Sequence, residues 1–327
     1  MTICKRPMPT NLIKIGTRES ELAVWQATLV KNLLEQNGHQ ASLVYIKSDG
    51  DTDLVTPLYA MGVQGVFTRS LDIALLSGRI NIAVHSMKDV PVQLPQGIAQ
   101  AAVLKRASYR DILAPSGSPE GGETVPLEQW FENTFSPSGA GGTIATSSIR
   151  RRAQWLHRYP NTVIENLRGN VNTRLKKLAE SNWNGAIFAA AGLERINLRP
   201  ENSINLDWML PAPAQGAIMV AGRADDAPVL EACAPLNDSG TATCVKMERD
   251  FLSALMGGCS TPISALAEIV GNKIMFKGNM VTPDGKEKVE VEKVFDLPDA
   301  DAAGAIAAAE ILQSGGMEII NKLANFK

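Results

Sequence analysis

Cysteine and histidine are scarce in this 327-residue chain, with four of the first and three of the second. The cysteines are Cys4, Cys233, Cys244 and Cys259; they lie far apart, form no CxxC pair, and no HExxH occurs. That spacing signals neither a disulfide framework nor a zinc site, so no resident metal is expected. Aromatic residues make up only 5%, and apart from Trp155 and Tyr159 none interleave with basic residues as a base-stacking surface would require. The formal net charge of −2 argues against nucleic acid for the chain as a whole. No apolar run is long enough to span a bilayer, and the opening MTICKRPMPTNLIKIG lacks the apolar stretch of a secretory leader. The expectation is a reduced, cytoplasmic protein with neither membrane nor nucleic acid as partner. The remaining composition, 45% hydrophobic and 20% charged, is that of a globular chain of two or three domains.

Patterning through the first half predicts alternating strands and helices. LIKIGTR (Leu12 to Arg18) reads as a strand; the helix after it carries Leu22, Trp25, Leu29 and Leu33 on one face and stops at Gly38. ASLVYIKS and INIAVHS read as strands, with a helix over FTRSLDIALLSGR between them. After a Gly, Ser, Pro and Glu loop near 115–125 the pattern restarts: GTIATSS, TVIENLRG and GAIFAAAG as strands, SIRRRAQWLHRYP and NVNTRLKKLAES as helices. Two β-α-β blocks imply two α/β lobes. The end differs: a helix over TATCVKMERDFLSALMGG, a hairpin around Pro283-Asp284-Gly285 and a closing alanine-rich helix from Asp299 predict a small α+β domain.

Basic charge is concentrated. Residues 141–180 hold eight Lys or Arg (Arg150, Arg151, Arg152, Arg158, Arg168, Arg174, Lys176, Lys177) against Glu165 and Glu180, a net of +6. Thr146-Ser147-Ser148 closes a predicted strand and opens a helix with Arg150 and Arg151 in its first turn. Arg168-Gly169-Asn170 closes the next strand, and Arg174 lies in the first turn after it. Arginine at a helix N-terminus is unfavourable for the helix, which prefers anions there. Its recurrence at matching strand ends points to an anionic ligand in the crevice beyond the sheet edge, the plainer alternative being a solvated basic face. Guanidinium forks suit carboxylate or phosphate. In the first block, Gly16-Thr17-Arg18-Glu19-Ser20 is a strand end, an arginine and a cap, and Asn81 to Ser86 runs into Met87-Lys88-Asp89-Val90-Pro91. Lys88 and Asp89 form either a surface ion pair or a carboxylate held ionised in a basic crevice, able to stabilise a cation or handle a proton. Cys259, in LMGGCSTP, is either a small apolar filler or a reachable thiol on an open turn.

HSMKDVP, TSSIRR, LRGNVNTRL, AAAGLERI, PAPAQGA and GGCSTPI, in that order between about Ile13 and Glu268, closely resemble the porphobilinogen deaminase (hydroxymethylbilane synthase) family. The resemblance implies two lobes like those of type II periplasmic binding proteins, an active-site cleft between them, and a small C-terminal α+β domain carrying the cysteine. In this sequence the implied division is 1–114 with 216–238, 115–215, and 239–327. It also implies a transferase that condenses four porphobilinogen molecules head to tail, each losing ammonia, and releases the linear hydroxymethylbilane for haem-type tetrapyrrole biosynthesis. The implied cofactor is a dipyrromethane, made from two substrate molecules and attached by a thioether to Cys259. By motif position, Asp89 is the catalytic carboxylate with Lys88 beside it. Arg18, Ser86, Lys88, Thr146, Ser147, Ser148, Arg150, Arg151, Arg168, Arg174 and Arg195 match the carboxylate-binding positions, and Gln26 and Gln215 shape the cleft. A growing chain presents an acetate and a propionate per ring, which a fan of arginines suits. Asp89 would face the pyrrole N–H groups and stabilise the cationic ring formed when the terminal pyrrole attacks an azafulvene. The family implies a monomer.

Some positions depart from the family pattern. Gln64 stands for a frequent lysine, Ser70 for a glutamate, Ala145 and Ala214 for glycines, and Met256 for a glutamate; these bear on loop closure and rate more than on reaction type. Two rival readings remain open to the sequence. A two-lobe polycarboxylate-binding protein is disfavoured by the missing leader and the extra cysteine domain. A LysR-type effector domain is disfavoured by the lack of a helix-turn-helix ahead of the first strand. Cys4, Cys233 and Cys244 are expected to be buried or incidental thiols.

Overall fold

The computed structural model describes residues 12–47, 68–116, 126–136, 141–255 and 261–324; Cys4, Gln64, Met256, Cys259 and most of the 115–125 loop lie outside the described residues. The first sheet contains β1 (Ile13–Thr17), β2 (Ala41–Tyr45), β3 (Ile82–Ser86), β4 (Ile98–Val103) and the late strand β10 (Ile218–Arg223), in the order β2-β1-β3-β10-β4. The second contains β5 (Asp111–Pro115), β6 (Thr143–Ala145), β7 (Val163–Glu165), β8 (Gly185–Ala189) and β9 (Ile204–Asn205), in the order β7-β6-β8-β5-β9. The plan is the same in both. β1 is parallel to β2 and β3, as β6 is to β7 and β8. Each fourth strand, β10 or β5, is antiparallel and enters from the other lobe. The chain therefore crosses between lobes twice, through 104–110 and 206–217. Because Asp111–Pro115 pairs with β8, the expected boundary after residue 114 falls inside a strand, and the crossover precedes Asp111.

Strand composition explains this layering. β3 (IAVHS) and β8 (GAIFA) are buried over their first four residues, as strands covered on both faces must be. Each sheet has a hydrophobic cluster on either side. The helix α1 (Glu21–Gln36) corrects the periodicity reading. It fully buries Gln26, Ala27, Val30 and Leu34, while Leu29 and Leu33 of the expected face pack partly buried against the same core and Leu22 and Trp25 do not. Small Ala27 and Val30 let the helix lie close on the sheet. Leu22 and Trp25 turn towards the second lobe, where the Arg195 guanidinium lies 5.8 Å from the Trp25 ring centroid. In the segment read as the strand GAIFAAAG, the strand stops at Ala189, and Ala190–Glu194 form a short helix, α6 in chain order.

The third domain is a sheet β11-β12-β13 (Ile263–Val270, Lys273–Val281, Lys288–Asp296), all antiparallel, packed against α8 (Ser239–Ala254) and α9 (Ala300–Ile311). Asp238 caps α8, accepting a 2.8 Å bond from the Thr241 N–H. The hairpin turn falls where Pro283-Asp284-Gly285 placed it. Gly285 has φ +76°, and a Cβ there would come within 2.5 Å of the His157 nitrogen, so the turn both needs glycine and docks on the second lobe. The single closing helix expected from Asp299 is two helices, α9 and α10 (Met317–Ala324), broken at Ser314 and at Gly315 with its φ of +106°.

Candidate active site

Both lobes present their parallel-strand ends to one crevice. In the first, β3 ends at Ser86 and one tight turn, Met87–Asp89, follows. Met87 and Val90 are buried and anchor that turn, leaving Lys88 and Asp89 half-buried between them. The turn is fixed from outside by Arg249 of α8. Its guanidinium donates to the carbonyls of Val90 (3.0 Å), Pro91 (2.6 Å) and Val92 (3.1 Å), with a longer contact to Met87 (3.5 Å). Buried Gln26 of α1 meets Ser86, Nε2 donating to Oγ at 2.9 Å. Arg18 follows β1, and its charge together with burial pushes the His85 imidazole down to about 4, burial being the larger cause.

In the second lobe, Ser148 caps α4 (Ile149–Arg158), its Oγ 3.5 Å from the Arg151 nitrogen. Thr146 is buried, and Ser147 is engaged locally: its Oγ donates to Asn166 Oδ1 (2.5 Å) and accepts from the Leu167 N–H (2.9 Å). Arg150 and Arg151 turn inward to Asp111, a fully buried carboxylate that no sequence motif singled out. Arg150 Nη2 lies 2.7 Å from Oδ2; Arg151 Nη2 and Nε lie 2.8 and 3.1 Å from Oδ1. Burial alone would raise the Asp111 pKa, but Arg150, Arg151 and Lys88 outweigh it and hold the carboxyl far below its usual range. Gln215, from the second crossover, donates to Asp111 Oδ1 (2.9 Å) and to the Tyr109 carbonyl (2.7 Å), and accepts from Lys88 Nζ (3.2 Å). Burial, then Arg151, lower the Lys88 ammonium to about 8 despite Asp89 and Asp111.

Arg174 lies in the first turns of α5 (Val171–Ala179); burial and then Arg151 lower it to about 10, opposed by Asp89 across the cleft. Arg168, after β7, is 3% exposed. Arg195 donates to the Gly216 carbonyl at 2.7 Å and is lowered to about 10, chiefly by burial. The N-termini of α1 and α5 meet across the lobes, where Asn172 donates to Glu21 at 2.8 Å. Of the residues expected at the site, Lys88, Gln215, Arg150 and Arg151 are tied together through Asp111, and Gln26 meets Ser86; the segment with Cys259 lies outside the described residues, between α8 and β11.

The donors fit a ligand with several carboxylates. Lys88, Arg150 and Arg151 gather around Asp111, and Arg174 lies within range of the charges of Arg151, Asp89, Arg168 and Arg18. Among the described residues, the buried Nε of Arg174 has no hydrogen-bond partner, as a donor left for a bound acceptor would. A nearby departure has a structural reading too. Ala214 has φ +61°, a conformation that costs any residue with a Cβ about 1–2 kcal/mol. Its N–H donates to Glu248 Oε2 at 2.7 Å.

Comparison with known proteins bears on what such a crevice serves. The profile described as "Porphobilinogen deaminase, dipyromethane cofactor binding domain" matches residues 13–231, and that described as "Porphobilinogen deaminase, C-terminal domain" matches residues 242–313. Curated proteins named porphobilinogen deaminase from two strains of Acidithiobacillus ferrooxidans are each 38% identical over 325 residues, covering 97% of this chain and 100% of theirs. Among solved structures, the BenM effector binding domain with benzoate is similar at 16% identity, covering 68% of this chain and 90% of its own, with a TM-score of 0.40. The ligand-binding component of an ABC-type import system from Staphylococcus aureus is similar at 15% identity, covering 74% of this chain and 73% of its own, with a TM-score of 0.39. The two profiles together with relatives matched end to end leave no room for the rival readings: the chain belongs to the porphobilinogen deaminase family.

Proposed function

We propose a division of labour among the cleft residues of a hydroxymethylbilane synthase. The enzyme is a transferase of tetrapyrrole biosynthesis, joining porphobilinogen units head to tail with loss of ammonia to give hydroxymethylbilane. The dipyrromethane named in its family profile supplies, when bound, the pyrrole carbon from which the chain grows. Asp89 stabilises positive charge developing on the rings and receives pyrrole N–H groups. The observation that carries this role is its place on a turn pinned by Arg249 yet open to a crevice of cations. Arg18, Ser86, Lys88, Thr146, Ser147, Ser148, Arg150, Arg151, Arg168, Arg174 and Arg195 hold acetate and propionate groups; Gln26 and Gln215 order the cleft floor. Arg150 and Arg151 already share Asp111, so they offer the ligand only their remaining N–H groups.

Cys259 carries the cofactor through a thioether. Support comes from its glycine-rich sequence between α8 and β11 and from the two described cysteines: burial pushes the Cys233 thiol up to about 12 and the Cys244 thiol up to about 11, so both are poor nucleophiles. We take the lobes to be 12–103 with 218–236 and 111–205, joined by the two crossovers, and the third domain to start near Asp238. We further take the enzyme to be a cytoplasmic monomer, as the family resemblance implies. The test is turnover of porphobilinogen by Asp89→Ala. Cofactor mass and folding should persist while the rate falls about 100-fold or more; near-normal turnover would exclude the role given to Asp89.

A further inference from the structure

Asp111 is the first residue of β5, where the chain enters the second sheet. It gathers side chains from two other segments, Arg150 and Arg151 of α4 and Gln215 of the second crossover. The Gln215 contact has the longer reach. A glutamine amide has one donor end and one acceptor end. Asp111 Oδ1 and the Tyr109 carbonyl both accept from Nε2, which obliges Oε1 to point away, and there it accepts from the Lys88 ammonium at 3.2 Å. One buried carboxylate thus reaches from the second lobe's sheet, through the crossover, to the residue beside Asp89.

We propose that Asp111 is a positioning residue for the condensation: it orients the Gln215 amide, which holds the Lys88 ammonium beside Asp89, and it aligns Arg150 and Arg151 at the same time. The inference rests on the reading of Lys88 as a partner of substrate carboxylates. The charges facing Lys88 are Arg151 and Arg150, which oppose its protonation, and Asp89 and Asp111, which favour it. Burial brings the group to about 8, so Lys88 discharges just above neutrality. Removing the Asp111 charge moves that discharge to lower pH.

The test is the pH profile of kcat/KM, measured on holoenzyme and scaled to the cofactor-bearing fraction. The wild-type profile should fall on its alkaline side near pH 8, and Lys88→Arg should abolish that limb. Asp111→Asn should shift the limb down by about one pH unit. Asp111→Glu, which keeps the charge but misplaces it, should lower kcat and leave the limb near its wild-type position. A carboxylate with only a structural role would change the active fraction and leave the limb still. A limb that persists in Lys88→Arg overturns the Lys88 reading and the proposal with it. A limb that belongs to Lys88 yet stays put in Asp111→Asn overturns the role of Asp111 alone. If Asp111→Asn does not fold, Gln215→Leu decides. It keeps the Asp111–arginine pairs and removes the acceptor for the ammonium, so the limb should again move down, and an unmoved limb overturns the relay.

Discussion

At the scale of single residues, burial decides which charges the cleft can use. His85 is 7% exposed and sits behind the Ser86–Asp89 turn. Its pKa is about 4 in the fold against 6.5 for the free group. Above pH 6.5 neither state binds the proton; as pH falls towards 4 the unfolded chain takes it up and the native one does not. Stability is therefore lost across that window, by about 3 kcal/mol in total from this group. Urea unfolding at several pH values should show that slope in the wild type and a flatter one in His85→Gln. Asp111 acts lower on the scale: its stabilisation is present above the ordinary carboxylate value and is lost only as pH falls well below it. Arg150→Ala should cost about 3–5 kcal/mol, because it strips one partner from a buried carboxylate, and it should also block cofactor assembly. A variant that still acquires the cofactor would contradict the carboxylate-binding role.

At the scale of elements, α8 is the strut of the molecule. Glu248 on it is fully buried, pairs with Arg106 of the first crossover (2.6 Å), and accepts from the Ala214 N–H of the second (2.7 Å) and the Ala267 N–H of β11 (2.8 Å). The next residue, Arg249, grips the turn after Asp89. One helical turn thus ties both crossovers, the third sheet and the Asp89 turn together. Glu248→Gln leaves the Arg106 charge uncompensated and should cost about 3–5 kcal/mol in denaturant unfolding. Arg249→Met should lower kcat with a smaller change in KM, since it loosens the turn that carries Asp89 while leaving the cations in place. Most of these elements were legible, because α4, α5, α8 and the β12–β13 hairpin carry caps, periodicity and turn residues of their own. No strand is legible in the pattern at β4, β5, β9, β10 or β11. Two of them, β5 and β10, insert from the opposite lobe, and local pattern does not encode a partner that lies so far along the chain. The α1 face is shifted from the periodicity reading: Leu29 and Leu33 pack at its edge, and the smaller Ala27 and Val30 make the close contact.

At the scale of the whole molecule, a cleft of cations joined through two crossovers suits a ligand that lengthens in steps, because each added ring brings two more carboxylates to be held. The site was largely visible in the sequence where basic and hydroxyl residues follow strand ends, as at Arg18, Lys88-Asp89 and Thr146 to Arg151. Asp111 and Glu248 stayed hidden because each is an acid in an ordinary stretch, and their partners come together only on folding. The central claim is that the chain is primed by a dipyrromethane on Cys259. Intact mass of the purified, denatured protein, followed by peptide mapping, tests it most directly. The account predicts an excess of two deaminated porphobilinogen units, confined to the peptide holding Cys259. An excess on any other residue, or a bare chain that gains no mass after incubation with porphobilinogen, would contradict it.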